Sequence, residues 1–100
     1  MHDVTVGLLG RLKVQPGKEA AMEEFLRGAK AIVDGEPNTT AWFALKLGES
    51  EYGVFDVFPD DSGRQEHLTG QLVQALGARG AELLAGEPSI EFVDVLAAKV

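Results

Sequence analysis

Thr40-Ala41-Trp42-Phe43-Ala44-Leu45-Lys46-Leu47, then Gly48-Glu49-Ser50-Glu51, then Tyr52-Gly53-Val54-Phe55-Asp56-Val57-Phe58 is the stretch on which the fold turns. Phe43, Leu45 and Leu47 fall on one parity of the first run, Trp42 and Ala44 on the other. In the second run Tyr52, Val54 and Phe58 oppose Phe55 and Val57. Aromatic and β-branched runs joined by a short Gly/Ser connection predict a hairpin, with strands over about 38–47 and 52–58. Each strand is apolar on both sides. An antiparallel sheet with one face in water would instead alternate apolar with polar.

Working outward, the first segment also reads as a strand, over about 3–14, with Val4, Val6, Leu8, Leu12 and Val14 on even positions. Pro16-Gly17 marks a turn. Ala21, Met22, Phe25, Leu26, Ala29, Ile32 and Val33 then recur every three or four residues, one apolar stripe of a helix over about 18–34. Gly35 is placed to cap that helix, and Pro37 stops it. Pro59-Asp60-Asp61-Ser62-Gly63 ends the hairpin and offers caps for a second helical region. Gly70, Gly77 and Gly80 weaken that region, so a short helix to about Thr69, a break, and a longer helix to about Ala85 are expected. A last strand covers about 89–98, with Ile90, Phe92 and Leu96 against Val93, Val95 and Ala97.

Strand, helix, strand, strand, helix, strand is the ferredoxin-like order: an α+β fold with a four-stranded antiparallel sheet and helices on one face. Helices on one side leave the other side of a two-sided apolar sheet uncovered. Such a patch marks an interaction surface, and the same face of a second copy is its simplest cover. A homodimer through the sheet face is therefore expected. The alternative is a few apolar residues pointing outward, as in any protein.

Composition narrows the chemistry. At 100 residues the chain is the size of one domain. A net charge of −7 argues against nucleic acid and anionic membrane surfaces as partners. The absence of Cys removes disulfides and thiol catalysis. No apolar run reaches membrane-span length, and the N-terminus lacks signal-peptide character, so the expected location is the cytoplasm.

His2 and His67 are the two imidazoles, without metal-site spacing, and neither a phosphate loop nor a nucleophile elbow is present. No metal or cofactor is therefore expected. His67 falls near the start of the short helix, whose dipole disfavours the imidazolium, so a neutral ring is expected at pH 7. A neutral ring accepts a proton from an acidic phenol or donates to an oxyanion; otherwise it is a surface histidine. Trp42 offers a stacking wall or packing in the dimer face. Met22 follows core spacing yet could line a cavity between helix and sheet. Arg64 pairs with an anionic ligand or with Asp60 and Asp61.

Asp56-Val57-Phe58-Pro59-Asp60-Asp61-Ser62-Gly63-Arg64-Gln65-Glu66-His67-Leu68 resembles the end of strand three and the next helix in antibiotic biosynthesis monooxygenase (ABM) domains, with Asp56, Phe58, Asp60 and His67 in register. Leu12-Lys13-Val14-Gln15-Pro16-Gly17-Lys18-Glu19 resembles that family's first strand and turn. The resemblance spans residues 1–100 as a single ABM-like domain. It implies two sheets packed face to face as a dimeric α/β barrel, with a small cavity between each sheet and its helices. It further implies a monooxygenase of small aromatic phenols or quinols that needs no metal or flavin. His67 would then be catalytic, with Trp42, Phe58, Met22 and Arg64 around the substrate. The alternative of the same fold is a non-enzymatic dimer that binds a small molecule. The sequence departs from some relatives in carrying Val54 and Phe58 where ligand-contacting polar groups stand, and Leu72 where a second His or Pro often follows.

Overall fold

The computed structural model describes residues 3–100; Met1 and His2, and with them the reading of His2, lie outside the described residues. The elements run β1 (Val6–Lys13), α1 (Glu19–Val33), β2 (Ala41–Lys46), β3 (Glu51–Phe58), α2 (Asp61–Leu68), α3 (Gln71–Leu83) and β4 (Ser89–Asp94). The strands form one antiparallel sheet in the order β2-β3-β1-β4. This is the ferredoxin-like α+β order, with the second helical region broken at Thr69-Gly70 as its glycines foretold.

The outer strands are shorter than the periodicity suggests, because pairing needs a neighbour. β4 stops at Asp94, opposite Val6, and the amide of Val95 makes one more bond to Thr5 O. β1 begins there, so 96–98 have no strand beside them. β2 starts at Ala41 because Pro37-Asn38-Thr39 is spent on a turn, closed by Thr39 N to Glu36 O. Gly17 does take the left-handed backbone, φ 87°, that the Pro-Gly turn requires. Gly35 does not cap as expected: α1 ends through a right-handed Asp34, and Gly35 N and Glu36 N close tight turns onto Ile32 O and Val33 O.

Parity decides what each face does. Even positions of β1 and β3 (Leu8, Leu12, Tyr52, Val54, Asp56, Phe58) turn toward the helices. There Leu12, Val14, Met22, Leu26, Tyr52 and Leu83 close one apolar cluster. Ala29, Val33 and Leu72 form a second, against which Trp42 packs. The buried Tyr52 hydroxyl donates to Glu23 Oε2 at 2.6 Å, so it carries no desolvation cost. Odd positions form the uncovered face. There Phe43 stacks on Phe55 at 6.5 Å and stays half exposed, as do Leu45 and Leu47. The apolar second face read from the hairpin is therefore present.

Leu83 has no exposure and sits between α3 and the β1–α1 turn, where its own carbonyl receives Gln15 N. Leu83→Ala is expected to cost about 2–5 kcal/mol, the range for truncating a fully buried leucine. Urea denaturation at fixed protein concentration checks this; a loss below 1 kcal/mol would mean that this end of the core is loosely packed.

Candidate active site

Asp56 is the one carboxylate on the inward parity of β3, flanked along the strand by Val54 and Phe58 and across it by Leu8 and Trp42. It is 1 % exposed. Over it lies α2, whose start is fixed by Asp60: its Oδ1 accepts Gly63 N at 3.0 Å. Gly63 lets the first turn of α2 press against the loop after α1, since a Cβ there would stand 2.9 Å from Asn38 O. That approach brings the last turn of α2, and His67 on it, between β3 and the loop.

His67 is buried, with a carboxylate at each ring nitrogen. Nδ1 is 2.8 Å from Glu36 Oε1, and Nε2 is 2.9 Å from Asp56 Oδ2. Only an imidazolium has a proton for both. The Glu36 contact is a hydrogen bond. The Asp56 contact is an ion pair made through Oδ2, and Asp56 Oδ1 has no donor. Thr39 Oγ1 also donates to Glu36 Oε1, at 2.7 Å, and the Phe58 ring leans on the imidazole at 5.6 Å. Burial by itself lowers the His67 pKa, but hydrogen bonding and charge from Asp56 and Glu36 outweigh it and raise the value to about 9. The expectation of a neutral ring is corrected. His67 falls in the last turn of α2 rather than its start, so the helix dipole favours the cation, and two carboxylates from other segments decide the charge.

Asp56 and His67 close one end of an apolar cavity of about 80 Å³ between sheet and helices, walled by Leu8, Phe25, Leu72, Leu76 and Ile90 among others. On its other side His67 borders an open cleft with Glu36, Asn38, Glu66 and Gln71. Among the described residues no three His, Asp or Glu side chains gather as a metal site.

The other expected site residues stand apart from this cavity. Met22 is sealed in the first core cluster. Trp42 is on the helix side rather than the uncovered sheet face, packed with Ala29, Val33 and Leu72. Phe58 backs the imidazole instead of lining the cavity. Arg64 pairs with Asp61 at 2.8 Å, donates to Gly7 O and Val93 O, and lies 4.5 Å over the Phe92 ring. It ties α2 to the sheet. Asp56 and Glu36 were not singled out for chemistry. Asp56 had a signal, a charge on the inward side of an apolar strand; Glu36, 31 residues from His67, had none.

An inward carboxylate over which a helix lays a histidine, on a ferredoxin-like sheet with a second apolar face, is a feature of a class of fold before it is an activity. No family model and no curated protein matches the chain. Solved structures do. A Nitrosomonas europaea protein of unknown function is 50 % identical over 100 % of this chain and 97 % of its own, with a TM-score of 0.97. A Caulobacter crescentus protein provisionally assigned as an antibiotic biosynthesis monooxygenase is 25 % identical, covering 96 % and 93 %, at 0.81. A second Nitrosomonas europaea protein with the same provisional assignment shares the fold at 13 % identity over 92 % and 90 %, at 0.82. The chain has the fold of proteins provisionally assigned as antibiotic biosynthesis monooxygenases.

The folded His67 pKa, about 9, lies above its ordinary 6.5. Its stabilisation is therefore fully present below pH 6.5 and lost as pH rises through 9. The ring should titrate near 9 by NMR, and the urea midpoint should fall between pH 7 and 10. His67→Gln should lose about 3–5 kcal/mol at pH 7 by leaving a buried carboxylate unpaired, and should lack that alkaline fall. A ring titrating near 6.5 would contradict the clamped geometry.

Proposed function

We propose that the protein is a cofactor-independent monooxygenase of a small aromatic phenol or quinol, with Asp56 as the proton acceptor and His67 as its fixed counter-charge. The observation that carries this reading is a carboxylate, 1 % exposed, in the wall of an apolar cavity, with Oδ2 against the His67 imidazolium and Oδ1 without a donor. The base is therefore not the histidine that the sequence suggests: a protonated His67 holds no lone pair for a base, whereas Asp56 does.

The hydroxyl proton passes to Asp56. The positive imidazolium beside it favours the phenolate that remains, and an apolar surround strengthens that effect. The ring carbon of the phenolate gives an electron pair to dioxygen and a C–O bond forms. The O–O bond then breaks with loss of the ring hydrogen. One oxygen atom stays as a quinone carbonyl and the other leaves as water. A cavity of about 80 Å³ is smaller than the roughly 150 Å³ known to hold benzene, so a single ring fits only when its walls move apart.

The same reading includes a homodimer. Phe43, Leu45 and Leu47 on the uncovered face, and Leu96 and Val100 beyond β4, are large exposed apolar residues without cover in one chain. Two sheets meeting on that face would make the α/β barrel. Sedimentation should give twice 10.7 kDa, and Phe43→Arg should shift the species toward the monomer. A stable single-chain mass at micromolar concentration would refute the barrel.

A second reading, a non-enzymatic binding protein of the same fold, is favoured by how tightly the Asp56 oxygens are sealed, each with under 1 Å² exposed. Oxygen uptake with a panel of hydroquinones separates the two. The oxygenase reading expects uptake by the native protein and a drop of roughly 100-fold or more in Asp56→Asn and His67→Ala, the scale of losing a positioned acid–base group. Uptake at background for every hydroquinone sinks this substrate class. Equal uptake in all three proteins sinks the roles given to Asp56 and His67.

A further inference from the structure

The charges at the end of the cavity do not balance. Asp56 and Glu36 bring two carboxylates to one imidazolium, so the cluster carries an excess negative charge. No Lys or Arg lines the cavity to offset it. Arg64, the cation of the same helix, is spent on Asp61, two backbone carbonyls and the Phe92 face. Glu36 is satisfied by Thr39 and by His67 Nδ1, and that bond fixes the ring. His67 therefore cannot turn its proton toward a ligand without breaking a 2.8 Å contact. Asp56 Oδ2 faces the imidazolium, but Oδ1 has no donor, and a buried acceptor left so is costly until a donor arrives. In an apolar surround the sign of an approaching charge matters more than it does in water.

We infer that Asp56 is the specificity-determining residue of the cavity. It admits a ring that carries a hydrogen-bond donor, a hydroxyl or an ammonium, and turns away carboxylates of the same size. This deepens the reading of the cavity as a ligand site and rests on it. The donor reaches the carboxylate when a neighbouring apolar side chain such as Leu68 or Phe25 changes rotamer, since the Asp56 oxygens are sealed in the resting fold. Once there it supplies the bond that Asp56 lacks. A carboxylate would instead bring a second acceptor and a like charge to the same place.

Binding without turnover tests this on the intact protein. Para-fluorophenol, para-fluorobenzylamine and para-fluorobenzoate are titrated at pH 7 under nitrogen and read by fluorine NMR. The phenol and the amine should bind the native protein at least about tenfold more tightly than the benzoate. Asp56→Asn removes the excess charge, leaving the His67–Glu36 pair neutral as a whole. It should weaken the two donors about tenfold and bring the benzoate level with them or ahead. Leu76→Trp, which fills the cavity away from the carboxylate, should abolish binding of all three. Benzoate binding as tight as the phenol, an unchanged ranking in Asp56→Asn, binding that survives Leu76→Trp, or no binding at all would each overturn the inference. Should Asp56→Asn fail to fold, the native ranking and Leu76→Trp still decide. The oxygenase reading fails separately: charge-selective binding with no oxygen uptake keeps this inference and loses that one, and uptake with charge-blind binding does the reverse.

Discussion

One buried cation between two carboxylates holds the functional end of this molecule together. His67 belongs to α2, Asp56 to β3, and Glu36 to the loop that follows α1. Three segments far apart in the chain therefore converge on one imidazole ring. Take away the charge on the ring and two acids face each other across a site with little solvent. Such clusters are weak contributors to net stability but severe when broken, because what remains is an uncompensated charge. Here the cluster also sets where the apolar cavity ends and what chemistry faces it.

The rest of the fold can be understood as the means of bringing that ring into place. Asp60 starts α2, and the missing side chain of Gly63 lets it lie against Asn38. Arg64 ties the same helix to the backbones of β1 and β4. Phe58 supports the imidazole from β3. Each contact is modest. Together they leave the helix one position, and with it they leave His67 one orientation. The cavity beyond is what remains when three helices cover a four-stranded sheet incompletely near β4, where Ile90 and Phe92 stay about half exposed.

The ABM relationship and the local chemistry support different parts of the account. High structural likeness over nearly the whole chain shows the fold. It does not bring an activity, since the relative at 50 % identity is itself of unknown function. The functional reading rests on Asp56, a carboxylate sealed in an apolar wall, with one oxygen against His67 and the other without a donor. A carboxylate beside a fixed counter-charge, at the end of an apolar cavity, is an arrangement that recurs at functional sites.

Much of the architecture was legible in the chain itself. Period-two alternation showed the strands, the three-and-four stripe from Ala21 to Val33 showed α1, and glycines at 70, 77 and 80 foretold the break between α2 and α3. Apolar residues on both parities of the hairpin announced an uncovered second face, and Phe43, Leu45 and Leu47 display it. These signals are local, because side-chain direction follows directly from backbone period. Strand ends were not legible to the same degree, since 96–98 have strand-like residues but no neighbour to pair with. Neither were the partners of His67. Periodicity says which way a side chain points, not what meets it from another element. Trp42, Met22 and Arg64 were plausible cavity walls by type, and each is taken up by packing or pairing that only the folded chain reveals. The charge on His67 was decided the same way: a place near a helix start argued for a neutral ring, but the fold puts it in the last turn of α2, between two carboxylates that make it a cation.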